Sequence, residues 1–110
     1  NMLGPVGSGL RNFLAILDDG RIAISALAVG CAQACLALAV AYAKDRRSMG
    51  KAIIEHQAVG FRLADFATRL EAARQMVLHA AACKDAGRPC LTEASMAKLF
   101  ASEVAEAVGR

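Results

Sequence analysis

Residues 46–57, RRSMGKAIIEHQ, collect Arg46, Arg47, Ser48, His56 and Gln57 within a dozen positions. Two guanidiniums, a hydroxyl, an imidazole and an amide make a set of hydrogen-bond donors suited to a pyrophosphate or another polyanion. Gly50 breaks the stretch, so it reads as a basic loop between two helical patterns, and loops on a rigid scaffold are where binding groups collect. A solvated charge run between helices looks the same. The residues alone leave both readings open.

Other residues with chemical potential are less specific. Asp18 and Arg21, in LDDGR, stand three apart; on a helix that spacing gives a surface ion pair of ~0.2–0.5 kcal/mol. Cys31/Cys35 and His79/Cys83 each place two metal-ligand types one helical turn apart, but no second pair completes four sites at a recognisable spacing. They read as core thiols and an edge histidine, and no metal is expected. Glu71 and Glu103 fall on solvated faces, and no Ser/His/Asp or Cys/His nucleophile pairing stands out.

The elements that must carry these residues are helical. With 110 residues the chain has room for one core. It is 56% hydrophobic and 5% aromatic, and 25 of its residues are alanine, a composition that favours closely approaching helices. A charge of +3 from 13 basic and 10 acidic residues, without aromatics interleaved among the basic ones, argues against nucleic acid. The four cysteines sit mostly at apolar helix positions and no signal peptide precedes them, which reads as reduced, buried thiols in a cytoplasmic protein.

After a breaker-rich opening at Gly4–Gly9, whose GxG lacks the strand and third glycine of a dinucleotide fingerprint, a first helix is expected from about Leu10 to Tyr42. Its seam reads as Ile24, Leu27, Cys31, Ala34, Leu38 and Ala41. Within it, Ile22 to Ala43 is uncharged and long enough to span a bilayer, although its alanines and Gln33 suit a bundle core better. A second helix follows the basic loop, with Val59, Leu63, Phe66, Leu70, Ala73, Val77 and Ala80 inward; it stops at Asp85-Ala86-Gly87-Arg88-Pro89. Thr92 is the expected N-cap of a third, whose stripe is Met96, Leu99, Phe100, Val104 and Val108. No β-pattern is visible. The third pattern is still running at Val108, so a fourth helix is expected from further chain or a second copy.

The span YAKDRRSMGKAIIEHQAVGFRLADFATRLEAAR resembles the helix-loop-helix core of the acyl-CoA dehydrogenases' C-terminal domain, and the likeness runs on from GPVGSGLRNFLAILDDGRIAISALAVG before it to ASMAKLFASEVAEAV after it. The resemblance implies an all-α fold: three long helices of an antiparallel four-helix-bundle-like domain, with the fourth helix missing. It implies a parent enzyme that converts acyl-CoA thioesters to trans-2-enoyl forms with FAD, a glutamate taking the α-proton and the flavin the β-hydrogen as hydride. Arg46 matches the arginine that reaches the FAD pyrophosphate, with Arg47 and Ser48 beside it. His56 and Gln57 match a pair facing an FAD held by a neighbouring subunit, and Asp18 and Arg21 match contacts to acyl-CoA.

The same resemblance implies a homo-oligomer that passes electrons to an electron-transfer flavoprotein. Gly20 stands where some branches of the family carry the catalytic glutamate, so no catalytic residue is expected here and the base should lie beyond Arg110. The isolated 110 residues are accordingly expected to be inactive. Met49 replaces the family's usual phenylalanine before the glycine and would stack less well in an apolar gap. Two readings stand against this one: a non-enzymatic helical interaction module, and a membrane-anchored helical protein with Lys44–Arg47 as its cytoplasmic flank.

Overall fold

The computed structural model describes residues 4–110. Three helices dominate it: α1 (Gly9–Asp45), α2 (Gln57–Asp85) and α3 (Leu91–Gly109). Between α1 and α2 lie two short antiparallel strands, β1 (Arg47–Ser48) and β2 (Lys51–Ala52), and a 3-10 turn (Ile53–Glu55). The expected basic loop is therefore a β-hairpin, which two-residue strands are too short to announce by alternation.

The two long helices run antiparallel. Lys84 Nζ, near the end of α2, lies 2.8 Å from the Asp19 carboxylate near the start of α1, and Arg74 donates to the Gln33 side-chain oxygen at 2.6 Å halfway along. Helix α3 packs against both. The α2–α3 connection turns as the sequence indicates: Gly87, at φ 66°, lets its own N–H reach the Lys84 carbonyl (2.9 Å) and the Arg88 N–H reach that of Cys83 (3.1 Å). That pair of bonds is a Schellman stop, satisfying carbonyls the helix end would leave bare.

The core is Val29, Ala32, Leu36, Leu70, Ala73, Val77, Ala80, Ala97, Ala101 and Val104. Half of these ten are alanines. An alanine contact lets helix axes approach closely, and the cluster is fixed by that fit more than by large side chains. The α2 residues expected inside are buried or half-buried. On α3 the contact is made by Ala94, Ala97, Ala101 and Val104, while Met96 and Leu99 of the expected stripe face outward.

Helix α1 departs most from expectation. Its buried line is Ser25, Val29, Ala32, Leu36 and Ala43; the whole expected seam, Ile24, Leu27, Cys31, Ala34, Leu38 and Ala41, is exposed. The helix is apolar nearly all round, so two stripes satisfy the same period. Cys31 and Cys35 share the exposed side, and only Cys83 of the four free cysteines is buried, so the expectation of mostly buried thiols does not hold. Thr92 lies inside α3, whose N-cap position is Cys90.

The molecule measures 70 × 27 × 16 Å and has a radius of gyration of 19.0 Å. A compact domain of this length would have a radius of about 13 Å. It is a thin layer of helices with one apolar side open, as three helices of a four-helix arrangement would be. Helix α1 is long and apolar enough to cross a membrane, the one such helix among the described residues.

Candidate functional site

The hairpin is built by the way α1 ends. Arg46 leaves the helix in an extended conformation (φ −67°, ψ 127°), its N–H donating to the Tyr42 carbonyl at 2.8 Å. Its carbonyl accepts the Ile53 N–H, also at 2.8 Å, and the ladder continues with Arg47 opposite Ala52 and Ser48 opposite Lys51. Met49 and Gly50 form the turn with φ of 51° and 83°. Two positive values are the signature of a type I′ turn, whose twist matches paired strands. Gly50 adopts its value freely; Met49 does so against its Cβ.

This geometry gathers the five residues expected to bind a polyanion around one hairpin. The two-residue period of a strand sets Arg46 and Ser48 on one side and Arg47 on the other. Among the described residues the hydrogen bonds of Arg46 are main-chain ones, so its exposed guanidinium keeps its donors free. Arg47 spends one Nη2 donor on the Gly50 carbonyl at 3.1 Å. His56 Nε2 lies 3.2 Å from the Ser48 carbonyl oxygen, and Gln57 opens α2 with an exposed amide. A free guanidinium on a backbone already locked in place can donate to phosphate oxygens.

His56 has one of its two ring nitrogens engaged within the hairpin. A carbonyl only accepts, so Nε2–H is the donor of that bond and a neutral ring has no second one to offer. Met49 is 92% exposed, uncovered by the rest of the chain.

Asp18 and Arg21 do meet, Arg21 Nη1 lying 2.5 Å from Asp18 Oδ1, with both side chains little more than a third exposed. They stand near the opposite end of α1 from the hairpin. Arg21 lies in α1 and Arg46 directly follows its last residue, 25 positions on, which at 1.5 Å per residue is roughly 38 Å. One chain therefore presents its two candidate sites far apart. Gly20 is exposed, and a Cβ there would meet nothing.

Residues 7–110 match the model of the acyl-CoA dehydrogenase C-terminal domain. The chain belongs to the acyl-CoA dehydrogenase family. It is 54% identical over 105 residues to the probable acyl-CoA dehydrogenase YngJ of Bacillus subtilis, covering 96% of this chain and 28% of that one. The solved butyryl-CoA dehydrogenase of Megasphaera elsdenii superposes with a TM-score of 0.95 at 44% identity, across 98% of this chain and 28% of that one. A structure described as the electron transferring flavoprotein of Acidaminococcus fermentans gives a TM-score of 0.96 at 47% identity, with the same coverage. The chain thus spans a little over a quarter of the length of these acyl-CoA dehydrogenase relatives. They lend no support to the interaction-module or membrane-anchor readings.

The fold adds a third donor to the His79/Cys83 pair. Glu93 of α3 comes beside His79 and Cys83 of α2, with their ligand atoms all within 4.8 Å of one another. Nothing in local spacing signals it, because the third donor arrives across the α2–α3 turn.

Proposed function

We propose that residues 1–110 are the greater part of the C-terminal helical domain of an FAD-dependent acyl-CoA dehydrogenase. The parent enzyme oxidises acyl-CoA thioesters at the α,β bond and hands electrons to an electron-transfer flavoprotein. In this reading Arg46 forks onto the FAD pyrophosphate, assisted by Arg47, Ser48 and Gln57, while His56 holds the Ser48 backbone in place. Asp18 and Arg21 contact acyl-CoA. The observation that carries the reading is a free Arg46 guanidinium on a rigid hairpin, in a chain matched along residues 7–110 by this family's C-terminal domain.

The separation of Arg21 and Arg46 along α1 supports a division of labour: each subunit lends its hairpin to a flavin held by its neighbour and its Asp18–Arg21 end to acyl-CoA elsewhere in a homo-oligomer. In this reading neighbouring protein helices cover the open apolar side of α1. Free thiols among the described cysteines fit a cytoplasmic enzyme. Bound FAD supplies the hydride acceptor. This chain's residues grip and orient; with glycine at position 20, the carboxylate that removes the α-proton comes from outside these 110 residues.

In the full-length protein Arg46→Ala should lose flavin on gel filtration, with affinity falling about tenfold or more for the lost charge-assisted bonds. Arg46→Lys should restore part of it, since a point charge replaces the fork. Unchanged flavin content in Arg46→Ala would remove the hairpin from the cofactor site. Absence of acyl-CoA-dependent dye reduction by the flavin-loaded wild type would refute the activity.

A further inference from the structure

We propose that His79, Cys83 and Glu93 form a binding site for a zinc-like divalent cation that staples the end of α2 to the first turn of α3. Their ligand atoms lie within 4.8 Å of one another, with the His79 Nε2 to Cys83 Sγ distance at 3.7 Å. Bond lengths of about 2.0 Å to nitrogen and 2.3 Å to sulfur make the N···S edge of a tetrahedral zinc site about 3.5 Å, so these two ligands already stand close to the right separation. Their spacing of four residues puts both on one face of α2, where Cys83 is 3% exposed and its sulfur accepts from Arg88 of the α2–α3 turn. Glu93 is half-buried in the first turn of α3 and supplies the carboxylate.

The donor set selects the metal. A thiolate and an imidazole suit zinc and its soft or borderline neighbours, whereas magnesium and calcium demand oxygen ligands. Three protein ligands leave the fourth tetrahedral position to water. Arg88 Nη2 donates to Cys83 Sγ at 3.0 Å, an outer contact that fixes the position of the sulfur. Thiolate and carboxylate would match the charge of the dication, with the Arg88 guanidinium left as one positive charge beside the sulfur. The Schellman turn at Gly87 holds the two helix ends in register, so binding would cross-link elements the chain already brings together.

The test uses the reduced, metal-free full-length protein, titrated calorimetrically with zinc chloride and spectroscopically with cobalt(II). One equivalent should bind per chain, with the visible bands of tetrahedral, sulfur-ligated cobalt beyond the flavin absorption, and zinc should raise the melting temperature. His79→Ala and Glu93→Gln change surface or half-buried positions, leave the fold intact in the absence of metal, and should each weaken binding about tenfold or more. Replacing both Cys31 and Cys35 by serine should leave it unchanged. The site is refuted by absence of saturable binding, by undiminished affinity in either His79→Ala or Glu93→Gln, or by loss of binding in the Cys31/Cys35 variant.

Discussion

The Nε2 atom of His56 lies 3.2 Å from the carbonyl oxygen of Ser48, fastening the hairpin to the start of α2. Eight residues separate the two in sequence; the type I′ turn makes them neighbours. His56→Ala should therefore weaken flavin retention indirectly, by loosening Ser48, at the scale of one neutral hydrogen bond of about 0.5–1.5 kcal/mol. Flavin release on dilution should increase roughly two- to tenfold, which is those energies expressed as an equilibrium, and less than in Arg46→Ala. An effect equal to that of Arg46→Ala would mean that His56 touches the cofactor itself.

Met49 occupies a left-handed position with φ 51°. Asparagine is at home there, and Asn-Gly is the favoured type I′ pair. Met49→Asn should raise stability by up to about 1 kcal/mol, relieving part of the cost a Cβ pays in that region. Thermal unfolding of the flavin-free protein reads the turn alone; a fall in flavin content of the same variant would show that the methionine side chain also packs on a partner.

Gly60 offers a sharper steric test. A Cβ at that position would stand 2.9 Å from the Ile54 carbonyl oxygen, and that oxygen is backbone. Gly60→Ala should push the 3-10 turn away from α2, costing about 1–3 kcal/mol as other overpacked positions do, despite alanine's better helix propensity. Urea unfolding would register it. A stabilised Gly60→Ala would mean that the turn yields freely.

On the open side of α1, Leu38 is 72% exposed and Leu27 60%. Leu38→Glu should leave this three-helix core untouched while placing a charge in whatever covers that side. Light scattering of the full-length protein should report a smaller assembly, or, if the covering helix belongs to the same subunit, a lowered melting temperature at unchanged mass. Neither effect would indicate that the side remains in water.

The hairpin and the α1 core differ in how far they could be read in advance. Gly50 and the basic residues around it marked a connection and a candidate polyanion site before any strand was visible, because glycine and charge act locally. Its pairing was hidden: strands of two residues are shorter than the period that would reveal them. Helix α2 could be read correctly since Arg62, Asp65, Arg69 and Glu71 leave only one face to bury. Helix α1 has no such charges between Ile22 and Ala43, and the residues that turn inward are a neighbouring line of Val29, Ala32 and Leu36.

The helices, the Gly87 stop, the place of the hairpin and membership of the acyl-CoA dehydrogenase family are legible from residues alone, since each rests on local conformational preference or on a continuous run of matched residues. Tertiary structure decided which side of α1 is inside and that Glu93 meets His79 and Cys83. The reason is geometric. An alanine-rich helix offers several equally apolar faces, and only the close fit of Ala32, Ala73, Ala97 and Ala101 between three axes singles one out.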